Sequence, residues 1–390
     1  MPSIKSIEIL NFGFKVEGLS VDHSANSVYT PGSVVDRRGV AVVVTDSDGV
    51  EGAFVTKDND AAMVAQARAL APWLIGRDVD SREQMYDDCK RMQRKLWAFG
   101  YSLIDIALWD LAGRRYGVSV TKLLGGFRTK LPTYASTFHG DRNGGLSSKE
   151  AFADYAEYCY GLGFRAFKIH GWTAGDRREE AENVRYVAGK VGHKMDLMLD
   201  PACELKTFAD ALYVGRACDD AQFFWYEDPF RDGGYSCHVH RKLRQLLRTP
   251  ILMGEHVRGL EAKADTIASE ATDYVRANPT LDMGITGVMK IANLAEAFGL
   301  DCEMHGCGPA HRHCMAALRN TNYYELALCA PEIGNPGPPI YTCGYTDQPW
   351  DVDADGCFPV PTGPGLGVTY DWDFIRKQQQ DTVTAKATAQ

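Results

Sequence analysis

The sequence predicts an α/β chain in two parts, an α+β module followed by a closed parallel barrel. Three observations predict it. The first third reads as strands followed by helices. From about residue 130, short apolar runs alternate with longer helical patterns. Three successive runs then close on a carboxylate, at Asp200, Glu227 and Glu255. At 390 residues the chain is too long for one small core and comfortable for two domains.

Taking the elements in order, residues 4–16 alternate enough to form a strand. The runs 39–46 (GVAVVVTD) and 50–56 (VEGAFVT) flank Ser47-Asp48-Gly49, a strong hairpin signal. Stretches 60–75, 81–94 and 101–116 carry apolar residues at helical spacing, and Leu124-Gly125-Gly126 punctuates the chain. Apolar runs follow at 132–137, 164–170, 195–200, 222–227, 250–255, 272–277, 300–305 and 323–328. Helical segments such as 147–161, 179–190 and 207–217 separate them. Eight strand candidates at this period describe a closed parallel barrel, with an open doubly wound sheet as the alternative on rhythm alone. The expected domains are a capping module at 1–128, the barrel at 129–354 and a Pro-Gly-rich segment at 355–390 that returns to the first module.

Hydrophobic content of 45% with 24% charged residues fits an ordinary soluble protein. A net charge of -9 argues against a nucleic-acid or anionic-membrane partner. It does not exclude a small anionic substrate, because a local metal ion outweighs the global field. The N-terminus lacks the basic and apolar regions of a signal peptide, and no window approaches a membrane span. The eleven cysteines are odd in number and scattered. Cys302, Cys307 and Cys314 cluster loosely near His311 and His313, but the spacing is poor for zinc. Free thiols in a reducing cytoplasm are the expectation.

The strand ends carry the chemistry. Asp200 ends LMLD, Glu227 ends FFWYE and Glu255 ends ILMGE, 27 and 28 residues apart, close to one βα unit each. Strand ends of a closed barrel converge on one face. Three carboxylates gathered there resist ionisation together unless a cation joins them, and hard oxygen ligands suit Mg²⁺. The run GFRAFKIH stops at Lys168-x-His170, whose alternation points both side chains into the barrel. GLDCEMH stops at His305, across the projected barrel. Bases on two sides of one metal suit removal of the proton alpha to a carboxylate, with the metal stabilising the enediolate.

In order along the chain, SLIDIALWDLAGRRYG, KIHGW, MLD, WYEDP, MGE, ITGVMKIANLAEAFGL and MHG together resemble the enolase superfamily, in its mandelate racemase-like branch. The resemblance implies a modified TIM barrel, (β/α)₇β, under an α+β capping domain built from both termini. It implies one Mg²⁺ held by Asp200, Glu227 and Glu255. Lys168 and His170 stand at the family's Lys-x-Lys positions, with Lys168 expected to neutralise the bound carboxylate, and His305 stands at the seventh-strand histidine.

Three departures follow from it. His170 replaces the second lysine. Asn278 stands where an aspartate usually partners the histidine, with Asp282 nearby at another offset. Ala202 replaces a polar neighbour of the metal. Glu325 in NYYELAL resembles the acid that hydrogen-bonds the substrate carboxylate, with a structural salt bridge as the alternative. Segments 18–32 and 56–60 are expected as loops over the barrel mouth, giving His23, Asn26, Tyr29 and Lys57 as substrate contacts. Trp172 is expected as a lid or a packing residue. The leading expectation is a sugar-acid dehydratase forming a 2-keto-3-deoxy acid. A racemase, epimerase or cycloisomerase and a non-catalytic metal-binding relative are the rivals. The resemblance also implies a homo-oligomer.

Overall fold

A computed structural model describes residues 1–57, 60–173 and 175–387. Strands β1 (Ile4–Val21), β2 (Ser27–Asp46) and β3 (Glu51–Thr56) form an antiparallel sheet. The C-terminal strand β13 (Gln379–Lys386) completes it by pairing with β1. The β2–β3 turn is held by Asp46, whose Oδ1 accepts from Asp48 N and Val50 N at 2.9 Å each.

The segment 18–32 differs from the loop expected. Leu19 pairs with Tyr29, Ser20 with Val28 and Val21 with Ser27, so β1 and β2 continue as a hairpin arm. Its tip is tied by Asp22 Oδ1, which accepts from Ser24 N and Asn26 N at 2.8 and 3.0 Å. The alternation of two strands, and not a flexible loop, therefore decides which side chains the arm turns toward the barrel. Of the segment 56–60, residues 58 and 59 lie outside the described residues.

Helices α1 (Ala61–Leu74) and α3 (Tyr101–Tyr116) pack on this sheet, and α2 (Arg82–Met92) packs against α3. Helix α3 is buried almost all round, from Tyr101 to Gly113, as a helix between two layers must be. Gly52 lets β3 approach it, since a Cβ there would lie 2.3 Å from the Ala107 carbonyl oxygen. Gly117 at φ 66 ends the helix, with Val118 N donating to Gly113 O at 2.9 Å.

After the short α4 (Val120–Leu123) the barrel begins. Its strands are β4 (Lys130–Thr137), β5 (Ala166–His170), β6 (Asp196–Asp200), β7 (Trp225–Glu227), β8 (Ile251–Met253), β9 (Tyr274–Ala277), β10 (Asp301–Met304) and β11 (Tyr324–Cys329). The helices between them are α5 (Lys149–Leu162), α6 (Arg177–Val191), α7 (Phe208–Asp220), α8 (Cys237–Arg244), α9 (Leu260–Ala268), α10 (Gly284–Ala297) and α11 (Pro309–Ala317). Every neighbouring pair is parallel, in the order β10-β9-β8-β7-β6-β5-β4-β11. Asn322 helps draw the two ends together, its N donating to Glu303 Oε1 at 3.1 Å and its Nδ2 to Asp301 Oδ2 at 2.9 Å. The barrel is nearly closed, in the (β/α)₇β arrangement. The tail adds β12 (Cys357–Pro359) beside β4, then α12 (Trp372–Lys377), before β13 joins the capping sheet.

Inside the barrel, Tyr134, Ala166, Met198, Trp225 and Leu252 form a buried apolar floor. Two residues further along β5, β6 and β7 stand Lys168, Asp200 and Glu227. Because alternate residues of a strand share a face, one apolar layer is followed directly by one charged layer. That layer is the base of the site.

Candidate active site

Asp200 and Glu227 are the last residues of β6 and β7, and Glu255 follows β8 after Gly254, whose φ is 111. Ligand oxygens of the three lie within 4.8 Å of one another. Such a group accepts a divalent cation with oxygen preference, which suits Mg²⁺. The only other such group among the described residues is Asp228, Glu255 and His256; the cysteines near His311 and His313 do not form one.

Two buried cations make this cluster tolerable without a metal. Lys168 Nζ lies 2.9 Å from Glu227 Oε2, 2.9 Å from Glu325 Oε1 and 3.5 Å from Asp200 Oδ2. Arg276 donates from Nε to Glu227 Oε1 at 2.7 Å and from Nη2 to Glu325 Oε2 at 3.3 Å. Burial opposes charge on Lys168, but Glu227 and Glu325 hold its ammonium well above the ordinary lysine range. Lys168 therefore stays a cation. Burial likewise opposes ionisation of Glu325, and Lys168 and Arg276 overrule it, holding the carboxyl well below its ordinary range. With Gly306 N also donating to its Oε2 at 2.7 Å, Glu325 is engaged in a salt-bridge network.

The two imidazoles are set in opposite tautomers by their Nδ1 neighbours. His170 Nδ1 faces the Thr137 carbonyl oxygen at 2.7 Å. A carbonyl only accepts, so Nδ1 carries the proton and Nε2 has the free pair of a neutral ring. Nε2 lies 3.1 Å from Asp200 Oδ2, an oxygen that a cation held by Asp200 would engage, which would leave Nε2 its pair. His305 Nδ1 faces Asn278 Nδ2 at 2.9 Å. Asn278 Oδ1 is already taken by Thr280 N and Thr280 Oγ1, at 2.8 and 2.7 Å, which fixes the amide orientation. The amide therefore donates to His305 Nδ1, and the proton of the neutral ring sits on Nε2, 3.2 Å from Glu255 Oε1. Asp282 does not reach His305: its Oδ2 accepts from Asn278 N at 2.8 Å and faces Lys263 Nζ at 3.4 Å.

Above these groups lies a cavity of about 540 Å³, lined by Asp200, His170, His305, Glu255, Glu325 and residues of the cap. The structure places Asn26 and Lys57 in its wall. Asn26 Nδ2 lies within hydrogen-bond reach of Thr173 Oγ1 at 3.3 Å and Glu204 Oε1 at 3.4 Å, docking the hairpin tip on the barrel. Lys57 Nζ donates to Asn335 Oδ1 at 2.5 Å and Pro336 O at 3.3 Å.

Three expected contacts do not line this cavity. His23 is exposed at the hairpin tip. Tyr29 packs beside Gly18 and Gly145 instead. Trp172 is buried edge-on to Phe152, with Nε1 donating to Asp141 O at 3.2 Å, so it is a packing residue and not a lid.

Three residues of the site escaped the sequence reading. Arg276 is one, and an arginine inside the buried run YVRA was the available signal, since such a group needs a carboxylate. Arg37 of β2 lines the cavity from the cap. His139, two residues past β4, is the third. Its ring lies 4.7 Å from that of His170, and neither ring nitrogen has a hydrogen-bond partner among the described residues. Burial, with His170 alongside, pushes its pKa down to about 3, so it stays neutral.

Residues 151–374 match the enolase C-terminal domain-like family, and residues 21–125 match the mandelate racemase / muconate lactonizing enzyme N-terminal domain. The chain is 25% identical over 342 residues to an arabinonate dehydratase of Saccharolobus solfataricus, covering 85% of this chain and 87% of that protein. It is 27% identical over 375 residues to a D-galactarolactone cycloisomerase of Agrobacterium fabrum, covering 91% and 95%. Among solved structures it is similar to a magnesium complex of D-glucarate dehydratase from Agrobacterium tumefaciens, with TM-score 0.86, 29% identity and 97% and 99% of the two chains covered.

Proposed function

Because this chain belongs to the mandelate racemase / muconate lactonizing branch of the enolase superfamily, we propose that it is a Mg²⁺-dependent sugar-acid dehydratase in which His170 is the base and His305 the hydrogen-bond donor to the leaving group. The single observation that carries this division of labour is the pair of opposite tautomers imposed by Thr137 and Asn278.

Asp200, Glu227 and Glu255 would hold the Mg²⁺, which supplies positive charge opposite the substrate carboxylate. Lys168, kept protonated by Glu227 and Glu325, adds a second positive charge at the same place. His170 Nε2, with its free pair, takes the C2 proton. The electron pair of that bond first rests in the enediolate of the substrate carboxylate, from which C2 can take up a solvent deuteron, and then forms the C2–C3 double bond as the C3–O bond breaks. His305 gives the departing hydroxyl a hydrogen bond from Nε2–H. The proton held by His170 and that hydroxyl leave together as water, and the enol left behind ketonises to a 2-keto-3-deoxy acid. A neutral His305 has only one N–H to give, so donation of a hydrogen bond suits it better than complete proton transfer. The relatives named dehydratases support the reading.

The test is a library of sugar acids incubated with the enzyme and Mg²⁺ in D₂O, scored for 2-keto acid and for deuterium at C2. Keto acid from one or a few acids is expected. Deuterated acid without keto acid would move the reading to an isomerase, in line with the cycloisomerase relative.

A further inference from the structure

The charged side chains around the cavity are sorted by side. The carboxylates in its lining, Asp200, Glu255 and Glu325, all belong to the barrel floor, whereas the lysine and arginine in its lining, Lys57 and Arg37, both belong to the cap. The floor is already close to balance. Lys168 and Arg276 answer Glu325 and Glu227, and a divalent ion answers the remaining two ligands. A substrate with one carboxylate at the metal adds one negative charge and offsets one of the two cap cations. The other remains uncompensated.

Arg37 is the more telling of the two. It is half-buried on β2, and its Nη2 donates to Ser27 Oγ at 3.2 Å. Among the described residues it has no other side-chain hydrogen bond and no carboxylate within ion-pair distance. A guanidinium has five N–H donors in a rigid fork matched to a carboxylate, so most of its capacity is unspent. Its partner Ser27 also accepts from His139 N at 3.2 Å, which fixes the strand carrying it against the His170 side of the mouth. Lys57 spends two donors on the neutral oxygens of Asn335 and Pro336, again with no ion pair to a described residue. A half-buried arginine facing a cavity without a counter-ion is a site for an anion.

We infer that the substrate is a sugar diacid, its reacting carboxylate on the floor and its far carboxylate held by the Arg37 guanidinium, with Lys57 adding positive charge on the His305 side. The inference rests on the proposed reading of the floor as the place of the reacting carboxylate. It adds a distal subsite and a substrate class.

The test compares D-glucarate and galactarate with D-gluconate and D-galactonate, using the full chain with Mg²⁺ in D₂O and scoring keto acid and C2 deuterium. The diacids are expected to react with kcat/KM about 100-fold above the monoacids, and Arg37→Met to collapse that ratio mainly through KM, as loss of a charge-assisted clamp does. Arg37→Lys restores part of it, which separates binding from folding. Monoacids reacting as well as the diacids, or Arg37→Met lowering both classes equally, would overturn the inference while leaving dehydration intact. Diacids that take up deuterium without forming keto acid would overturn dehydration and leave the inference standing. No reaction with any of the four acids overturns the inference and leaves dehydration to be decided by the wider library.

Discussion

Each charged residue of the floor has its state set by what touches it. Arg276 shows this most plainly, because its guanidinium is fully buried and joins Glu227 and Glu325 while also donating to Tyr134 Oη at 2.9 Å. Removing one partner of a buried ion network strands the others in low dielectric. Arg276→Met is therefore expected to cost roughly 3–5 kcal/mol of stability in denaturant unfolding, and Arg276→Lys less. An Arg276→Met protein as stable as the parent would show that Lys168 alone balances the floor.

Much of the floor was legible in the sequence. Asp200, Glu227 and Glu255 each close an apolar run at βα spacing, and Lys168-x-His170 shares a strand face, so one-dimensional rules reach them. The tautomers were not legible, since they depend on contacts with Thr137 and Thr280 that only the fold creates. Arg37 reads in VVDRRGV as an ordinary exposed strand residue, and nothing local says that a cavity opens beneath it.

At the scale of elements, the junction between α3 and α10 ties cap to barrel. Gly284, at φ 83, starts α10 against Asp105 of α3. Asp105 Oδ2 accepts from Thr286 N at 3.0 Å and its Oδ1 accepts from Thr286 Oγ1 at 2.7 Å. Burial raises the Asp105 pKa to about 7 despite these bonds. An acid whose folded pKa lies above its unfolded value of about 4 holds extra protons in the native state. Its contribution is fully present below that unfolded value and is lost as pH rises through about 7. Glu303, raised to about 7, and Glu180, raised to about 8, act in the same direction. Stability is therefore expected to fall between pH 5 and pH 8, by at most about 1.4 kcal/mol per pH unit for each group. Thermal unfolding of Asp105→Asn should show a shallower fall over that window, and an unchanged slope would place the Asp105 carboxyl elsewhere in its titration.

The elements themselves were largely legible. The eight barrel runs and the three cap helices follow from apolar period, and α3 was found although its burial blurs its polar face. The β1–β2 arm was misread because Gly, Ser, Asp and Asn dominate its tip and mask the pairing behind it.

For the whole molecule, the site exists only where cap meets barrel. The arm docks through Asn26 onto Thr173 and Glu204, Val28 bridges to His139, and β13 returns the tail to β1. The barrel supplies the acidic floor and both imidazoles, while the cap supplies Asn26, Arg37 and Lys57 to the wall. This division assigns proton chemistry to the barrel and substrate length and charge to the cap. The family was legible because most of its motifs fall on barrel strand ends and the remaining two on α3 and α10. The substrate class was not, because it is written in cap residues whose facing depends on strand register.

The most direct measurement of the central claim is a comparison of His170→Asn and His305→Asn with the parent enzyme in D₂O, following C2 deuteration and keto acid on a sugar acid that the parent dehydrates. His170→Asn is expected to lose both signals by about 10³-fold, and His305→Asn to lose keto acid by about 10²-fold while still exchanging C2 hydrogen, within the range of a single acid–base group. Exchange that survives in His170→Asn and vanishes in His305→Asn would reverse the two roles and contradict the account.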